Sequence, residues 1–313
     1  YNSTDNTAFT KTPIHISSDG SIIILTERSP NKIARYIWNE TLGKYTRQTN
    51  ETDVATPNFP FQIASSEFGS NVVLAHTTSP YLSSYKYDDA TNSFVKTNNP
   101  DVMLTSAAYN IAMSQDGNMM ALTFAYSPYF YSYKWNSTSN RYERTAQPDL
   151  TFTGAAWYQM SMSADGLRIA ARISTSGILH IMDWNEANNR YEKLTTGTTS
   201  AGWSDPSGTY TEYKGRPITL SKNKQFMAVA YSTGIRWYKW DVAGYYNRIN
   251  EPLYTTTFTE SSSVESVKLS DDGLEAMIFI NQMPYRIPVQ YNEVSNRFEE
   301  APALSPQPAY PYY

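Results

Sequence analysis

The sequence predicts an all-β fold of six four-stranded antiparallel sheets, and three observations predict it. A polar turn between two apolar runs recurs six times along the chain. A pair of aromatic residues, in five cases seven positions apart, follows each recurrence. The composition, with 26 Tyr and abundant Ser, Thr and Asn, favours strands and hydrogen-bonded turns over helices.

The recurring turn supplies the first two strands of each sheet. The copies read "IHISSDGSIIIL" from Ile14, "FQIASSEFGSNVVLA" from Phe61, "YNIAMSQDGNMMAL" from Tyr109, "YQMSMSADGLRIAA" from Tyr158, "PITLSKNKQFMAVA" from Pro217 and "ESVKLSDDGLEAMIF" from Glu265. Asp-Gly between alternating apolar runs is a strong hairpin signal, because Gly takes positive φ without steric cost. The fifth copy has Asn223-Lys224 in place of Asp-Gly. Lys enters the left-handed region less readily than Gly, so a looser turn is expected there.

The aromatic pairs supply the other two strands. They are Trp38-Asn39 with Tyr45, Tyr87-Asp88 with Phe94, Trp135-Asn136 with Tyr142, Trp184-Asn185 with Tyr191, Trp240-Asp241 with Tyr246, and Tyr291-Asn292 with Phe298. Each encloses a polar loop that Asn or Asp starts, which reads as a second hairpin clasped at its base by two rings.

Two hairpins per repeat and six repeats make a six-bladed β-propeller over residues 13–300. Residues 1–12 form an N-terminal segment in which "TAFTK" is a candidate edge strand, and residues 301–313 form a Pro/Tyr-rich tail. Prolines remove backbone donors and favour extended polyproline II, so the tail does not continue a sheet. The S-x-D-G turn, the small-apolar strand and the aromatic-Asn/Asp strand end resemble the blades of WD40-like and related propellers. The Gly-His and Trp-Asp pairs of true WD40 repeats are missing, Trp240-Asp241 being the lone partial match. The resemblance therefore implies architecture and carries no activity or partner.

Composition excludes several classes. The chain has 313 residues, 17% of them charged, and a formal net charge of -4, with no Lys/Arg stripe of the kind that neutralises phosphates, so no nucleic-acid partner is expected. No apolar run is long enough for a membrane-spanning helix, so no membrane insertion is expected. Cysteine is absent, which removes disulfides, thiolate nucleophiles and Cys-ligated zinc.

No catalytic motif stands out. The first strands of the repeats carry few ionisable groups, and His15, His76 and His180 are isolated in sequence. Asp19, Asp116, Asp165, Asp271 and Asp272 recur at turns, as hydrogen-bonding turn residues do and a single catalytic pair does not. There is no nucleophile elbow and no phosphate-binding loop. The expectation is a protein without catalytic residues, cofactor or metal. It is a structural, adhesive or filament-forming propeller, extracellular or on a cell surface, whose partner is a protein such as further copies of itself.

Two alternatives stay open. One is a lectin-like propeller that binds glycans by stacking Trp157, Trp203, Tyr210 or Tyr213 on sugar faces. The other is a six-bladed hydrolase or lyase with an unrecognised site. The segment "TTGTTSAGWSDPSGTYTEYKG" before the fifth repeat is either a solvated insertion or a binding loop. Tyr310, Tyr312 and Tyr313 are candidate partner contacts in the tail. Asn2, Asn39, Asn50 and Asn136 head Asn-x-Ser/Thr sequons and are candidate glycan acceptors.

Overall fold

The structure is a computed structural model. It describes residues 14–17, 19–28, 31–48, 60–124, 129–148, 158–173, 179–194, 218–231, 234–242, 244–250, 264–280 and 286–301. All regular elements among them are strands, and they form six four-stranded antiparallel sheets, each of four consecutive strands. This is a six-bladed β-propeller. The chain divides into two compact units, Tyr1–Gln147 and Pro148–Tyr313, each holding three sheets.

In the first unit, the first sheet comprises β1 (Ile14–Ile16), β2 (Ile22–Arg28), β3 (Asn31–Asn39) and β4 (Lys44–Arg47). The second comprises β5 (Pro60–Ser65), β6 (Asn71–His76), β7 (Leu82–Asp88) and β8 (Ser93–Lys96). The third comprises β9 (Asn110–Met113), β10 (Met119–Thr123), β11 (Phe130–Asn136) and β12 (Arg141–Arg144). In the second unit, the fourth sheet comprises β13 (Tyr158–Met162), β14 (Arg168–Ile173), β15 (Leu179–Asn185) and β16 (Arg190–Lys193). The fifth comprises β17 (Ile218–Leu220), β18 (Phe226–Tyr231), β19 (Gly234–Trp240) and β20 (Tyr246–Arg248), and the sixth β21 (Val264–Leu269), β22 (Glu275–Ile280), β23 (Arg286–Asn292) and β24 (Arg297–Glu300).

A four-stranded sheet is too small to hide its apolar faces alone, so each packs on a neighbour. In the first unit Ile24, Val72, Leu74 and Phe94 join the first and second sheets, and Val73, Met120, Leu122 and Tyr133 join the second and third. In the second unit Ile181, Leu220, Met227 and Val229 join the fourth and fifth, and Phe226, Trp237, Ile278 and Phe298 the fifth and sixth. The rings of Trp237 and Phe298 stack at 4.0 Å. Sealed alanines in the second strands, among them Ala75, Ala121, Ala170 and Ala228, keep adjacent faces close.

The repeated turn is a hydrogen-bonded device. In the third sheet Ser114 Oγ accepts from Met119 N at 2.8 Å and donates to Asp116 Oδ1 at 2.6 Å, while Asp116 Oδ1 also accepts from Asn118 N at 2.9 Å. The same set recurs at Ser17–Asp19, Ser163–Asp165 and Ser270–Asp272. The glycine after the acid has a second constraint besides its positive φ of 76° at Gly117. A Cβ there would meet Asn71 Nδ2 of the second sheet at 2.3 Å.

The fifth turn corrects the expectation of looseness. Lys224 takes φ 65°, its N donates to Ser221 O at 3.0 Å, and Asn223 Oδ1 accepts from Gln225 N at 3.0 Å, so Asn-Lys reproduces the Asp-Gly geometry. The lysine also reaches the fourth sheet, where its Nζ lies 2.5 Å from Asp165 Oδ2. A contact between sheets thus offsets the cost of the left-handed residue.

The aromatic clasps pair across strands three and four of every sheet, from Trp38↔Tyr45 to Tyr291↔Phe298. Ring centroids lie between 4.9 and 5.6 Å apart, within the range in which aromatic pairs attract. Where the second ring is tyrosine, its hydroxyl donates to the turn of the first hairpin. Tyr142 OH reaches Gly117 O at 2.6 Å, Tyr45 OH reaches Gly20 O at 2.5 Å, Tyr191 OH reaches Gly166 O, and Tyr246 OH reaches Lys224 O at 2.6 Å. The two hairpins of a sheet are thereby locked at one end.

Candidate functional site

The order of strands gives each sheet two ends. Strands one and two, and three and four, are joined at one end by the turns just described. At the other end the chain leaves strands two and four and enters strands one and three. Chemistry has to be sought at both.

At the turn end the carboxylates are committed. The Asp19 carboxyl is lowered to about 2 by the Ser17 hydroxyl, then by the Ser21 amide and hydroxyl. Asp272 is lowered by Ser270 and the Leu274 amide. At Asp165 burial opposes the charge, but Lys224, Ser163 and the Leu167 amide outweigh it and the carboxyl ends below its ordinary value. Groups held ionised and already saturated with donors are poor proton shuttles near neutrality.

The outer hairpins use a second repeated net. Asn136 Nδ2 donates to Glu143 Oε2 at 3.0 Å, Ser139 Oγ donates to Glu143 Oε1 at 2.9 Å, and Asn136 Oδ1 accepts from Thr138 N and Ser139 N. Asn185, Asn188 and Glu192 repeat it, as do Asn292, Ser295 and Glu299. These bonds, led in each case by Asn or Ser donors, hold the three glutamates below their usual range. A groove of about 510 Å³ follows the hairpin of the fourth sheet, lined by Asp183, Trp184, Asn185, Glu186, Ala187, Glu192, Lys193 and Leu194. Trp184 Nε1 donates to Glu186 Oε2 at 2.5 Å, and Asp183 receives Arg168 Nε and an Arg168 Nη at 2.6 and 2.7 Å. Its acids are therefore occupied as well.

The connection end of the second sheet carries a serine–histidine contact, His76 Nε2 to Ser83 Oγ at 2.8 Å. Both residues are sealed from solvent, at 0% and 1% exposure, so no substrate reaches that hydroxyl and the pair serves the core. His15 sits on β1 in the first unit and His180 on β15 in the second. Among the described residues no group of three or more His, Asp or Glu is placed to hold a metal ion, and no helix is long and apolar enough to cross a membrane.

Of the candidate acceptors and contacts named from sequence, the structure describes Asn39 and Asn136. Both lie in outer hairpins, at the ends of β3 and β11. Asn2, Asn50, Trp157, Trp203, Tyr210, Tyr213, Tyr310, Tyr312 and Tyr313 lie outside the described residues, as does the segment "TAFTK". Sequence reasoning missed a pair of clips between sheets. Asn98 reaches the third sheet through its N to Asn140 O at 3.0 Å and its Nδ2 to Ser139 O at 2.8 Å. Asn250 does the same to Asn296 O and Ser295 O. Their shared signal is Asn-x-Pro, in Asn98-Asn99-Pro100 and Asn250-Glu251-Pro252.

No protein-family model and no curated protein matches the chain. Solved structures do. A putative 6-phosphogluconolactonase from Bacteroides uniformis matches with a TM-score of 0.64 at 12% identity, over 92% of this chain and 83% of that one. The periplasmic gluconolactonase of Pseudomonas aeruginosa matches with the same TM-score, identity and coverages. The β-propeller domain of Myceliophteria thermophila Cps50 (Swd1) matches with a TM-score of 0.59 at 12% identity, over 93% of this chain and 86% of that domain. At such identity the likeness is one of fold.

These matches correct the expectation of a non-enzymatic structural, adhesive or self-assembling module; of the alternatives named from sequence, the six-bladed hydrolase is the one in keeping with them. The non-enzymatic reading rested on the absence of an enzyme motif in the repeated strands, and propellers of this shape include proteins named as lactonases. The physical reason for the miss is that repeats record what every sheet needs. A group that a protein needs only once leaves no mark in a repeat pattern.

Proposed function

We propose that this chain is a propeller hydrolase that opens a cyclic sugar-acid ester of the gluconolactone type. The observation that carries the reading is the fold likeness, over 92% of this chain, to two proteins named as lactonases. Such a reaction adds water to the ester carbonyl, breaks the ring C–O bond and releases a hydroxy acid. It needs a base to take the proton of water and donors for the developing oxyanion. The committed state of the turn-end acids favours placing those groups at the connection end. Trp157 belongs to the connection between β12 and β13, and Trp203, Tyr210 and Tyr213 to that between β16 and β17. They are the proposed substrate contacts. With a net charge of -4 the chain has no long-range attraction for a phosphorylated substrate, so the unphosphorylated lactone is preferred.

The test is hydrolysis of glucono-δ-lactone, followed by pH-stat against the spontaneous rate, with the phosphorylated lactone in parallel. Enzyme-dependent acid release that Trp203→Ala diminishes supports the reading. A rate equal to the buffer rate for both substrates overturns it. A position outside the cytoplasm, secreted or periplasmic, accords with the name of the Pseudomonas protein. Fractionation of the native source checks it. A protein partner is in keeping with the likeness to the Cps50 domain, and Tyr310, Tyr312 and Tyr313 are its proposed contacts. Affinity capture with and without residues 302–313 tests them.

A further inference from the structure

The sequons at Asn39 and Asn136 cannot be told apart in sequence. Each sits at the end of the third strand of its sheet, one residue after the tryptophan of the clasp, and each has Thr two positions on: Asn39-Glu40-Thr41 and Asn136-Ser137-Thr138. Both asparagines are half-buried, and each uses Oδ1 to accept from the turn backbone, Leu42 N at 3.0 Å and Thr138 N at 2.9 Å. A glycan, however, is attached through Nδ2, and there the two sites differ.

Asn136 Nδ2 is held 3.0 Å from Glu143 Oε2. That carboxylate is in turn fixed by Ser139 Oγ at 2.9 Å and by Arg141 Nε at 3.5 Å. A sugar on this nitrogen replaces one of its hydrogens and brings bulk to the place the carboxylate fills. The net also stabilises the hairpin, as its recurrence at Asn185 and Asn292 shows; neither of those asparagines heads a sequon. At the first sheet the position matching Glu143 is Thr46, two residues past the cross-strand partner of Asn39 as Glu143 is past that of Asn136. Thr46 turns its hydroxyl away, to Ile37 O at 3.3 Å. Among the described residues Asn39 Nδ2 has no acceptor, and the turn beyond it, from Glu40 to Lys44, is exposed throughout.

We propose that Asn39 is an N-glycan acceptor of this protein and that Asn136, despite its equivalent sequon, is a structural residue that the folded protein keeps unmodified. The proposal rests on the reading that the chain is exported, and it is independent of the lactone-hydrolase reading. Its ligand is a covalently attached oligosaccharide on an amide nitrogen. The turn beyond Asn39 carries the exposed Leu42, and the clasp hydroxyl of Tyr45 is engaged by Gly20 O.

The test is secretion of the full chain from a eukaryotic cell behind a cleavable leader. Peptide mass spectrometry after enzymatic deglycosylation in ¹⁸O water then gives the occupancy of each site in the folded, secreted protein. Higher occupancy at Asn39 than at Asn136 is expected. Asn39→Gln removes the glycan and loses only the bond from Leu42 N, whereas Asn136→Gln also breaks the net to Glu143 and lowers the melting temperature further without changing the glycan mass. Glu143→Ala, which frees Nδ2 while leaving the sequon whole, raises occupancy at Asn136. Equal occupancy at the two sites, or an empty Asn39 beside an occupied Asn136, overturns the proposal. Export is imposed by the leader, so an empty Asn39 counts against the site itself, and the location of the native protein is read separately from native material.

Discussion

The third and fourth sheets share one frame and fill it differently. Both have the Ser-x-Asp-Gly turn, the Trp–Tyr clasp with its hydroxyl on the turn glycine, and the Asn–Glu net of the outer hairpin. At the start of the second strand, however, Met119 of the third sheet faces Lys134, whereas Arg168 of the fourth faces Asp183. Arg168 is 8% exposed along its side chain, binds Asp183 through two nitrogens and lies 3.5 Å above the Trp240 ring. Where the third sheet has Tyr131, the fourth has His180. The difference teaches that turns and clasps define the sheet, and that the positions between them are free to take charge.

The largest expected effect comes from His180. Burial, and then Lys193, lower its imidazole from 6.5 to about 4. A base with a depressed folded value stabilises the protein above its unfolded value and loses that contribution as pH falls. The loss begins below pH 6.5 and saturates around 4, amounting to about 3 kcal/mol. Chemical denaturation at several pH values should show a fall that His180→Gln reduces, while Tyr131→Phe in the third sheet leaves it intact.

Next in size is Gly117→Ala, which combines a left-handed alanine with a clash on Asn71 and should cost about 2–3 kcal/mol. Asp183→Ala leaves the Arg168 guanidinium buried without its carboxylate. Because Asp183 is itself 38% exposed and water can follow, about 2 kcal/mol is expected, against less than about 1 kcal/mol for Lys134→Ala at the matching place. Tyr142→Phe, which deletes the bond to Gly117 O, should cost about 1 kcal/mol. Thermal or denaturant unfolding ranks these variants, and a reversed order would mean that the turns are not what defines the sheet.

The frame was legible in the sequence because it repeats. Asp-Gly at four turns and rings at six clasps are local patterns that any sheet of this kind must satisfy, and they set strand number and order. The tyrosine hydroxyl bonds were less legible. Phe94 and Phe298 hold the same position without a hydroxyl, so the bond is optional and leaves no invariant letter. The tolerance of Lys224 was missed because its compensation, Asp165, lies 59 residues away and belongs to another sheet. The enzymatic reading was legible only as an alternative, a six-bladed hydrolase or lyase with no residue to carry it. Sequence reasoning weighed the repeated acids, which proved to be held by their own turns, and gave little weight to connections that occur once.

Lactone hydrolysis by the wild-type chain and by Asp116→Asn and Asp165→Asn, side by side in a pH-stat, examines the division of labour between the two ends of the sheets. Acid release above the spontaneous rate that survives both substitutions is the predicted result. Release that disappears with either aspartate in a protein that remains folded would place the chemistry on the turns, and no release from the wild type would remove the hydrolase altogether.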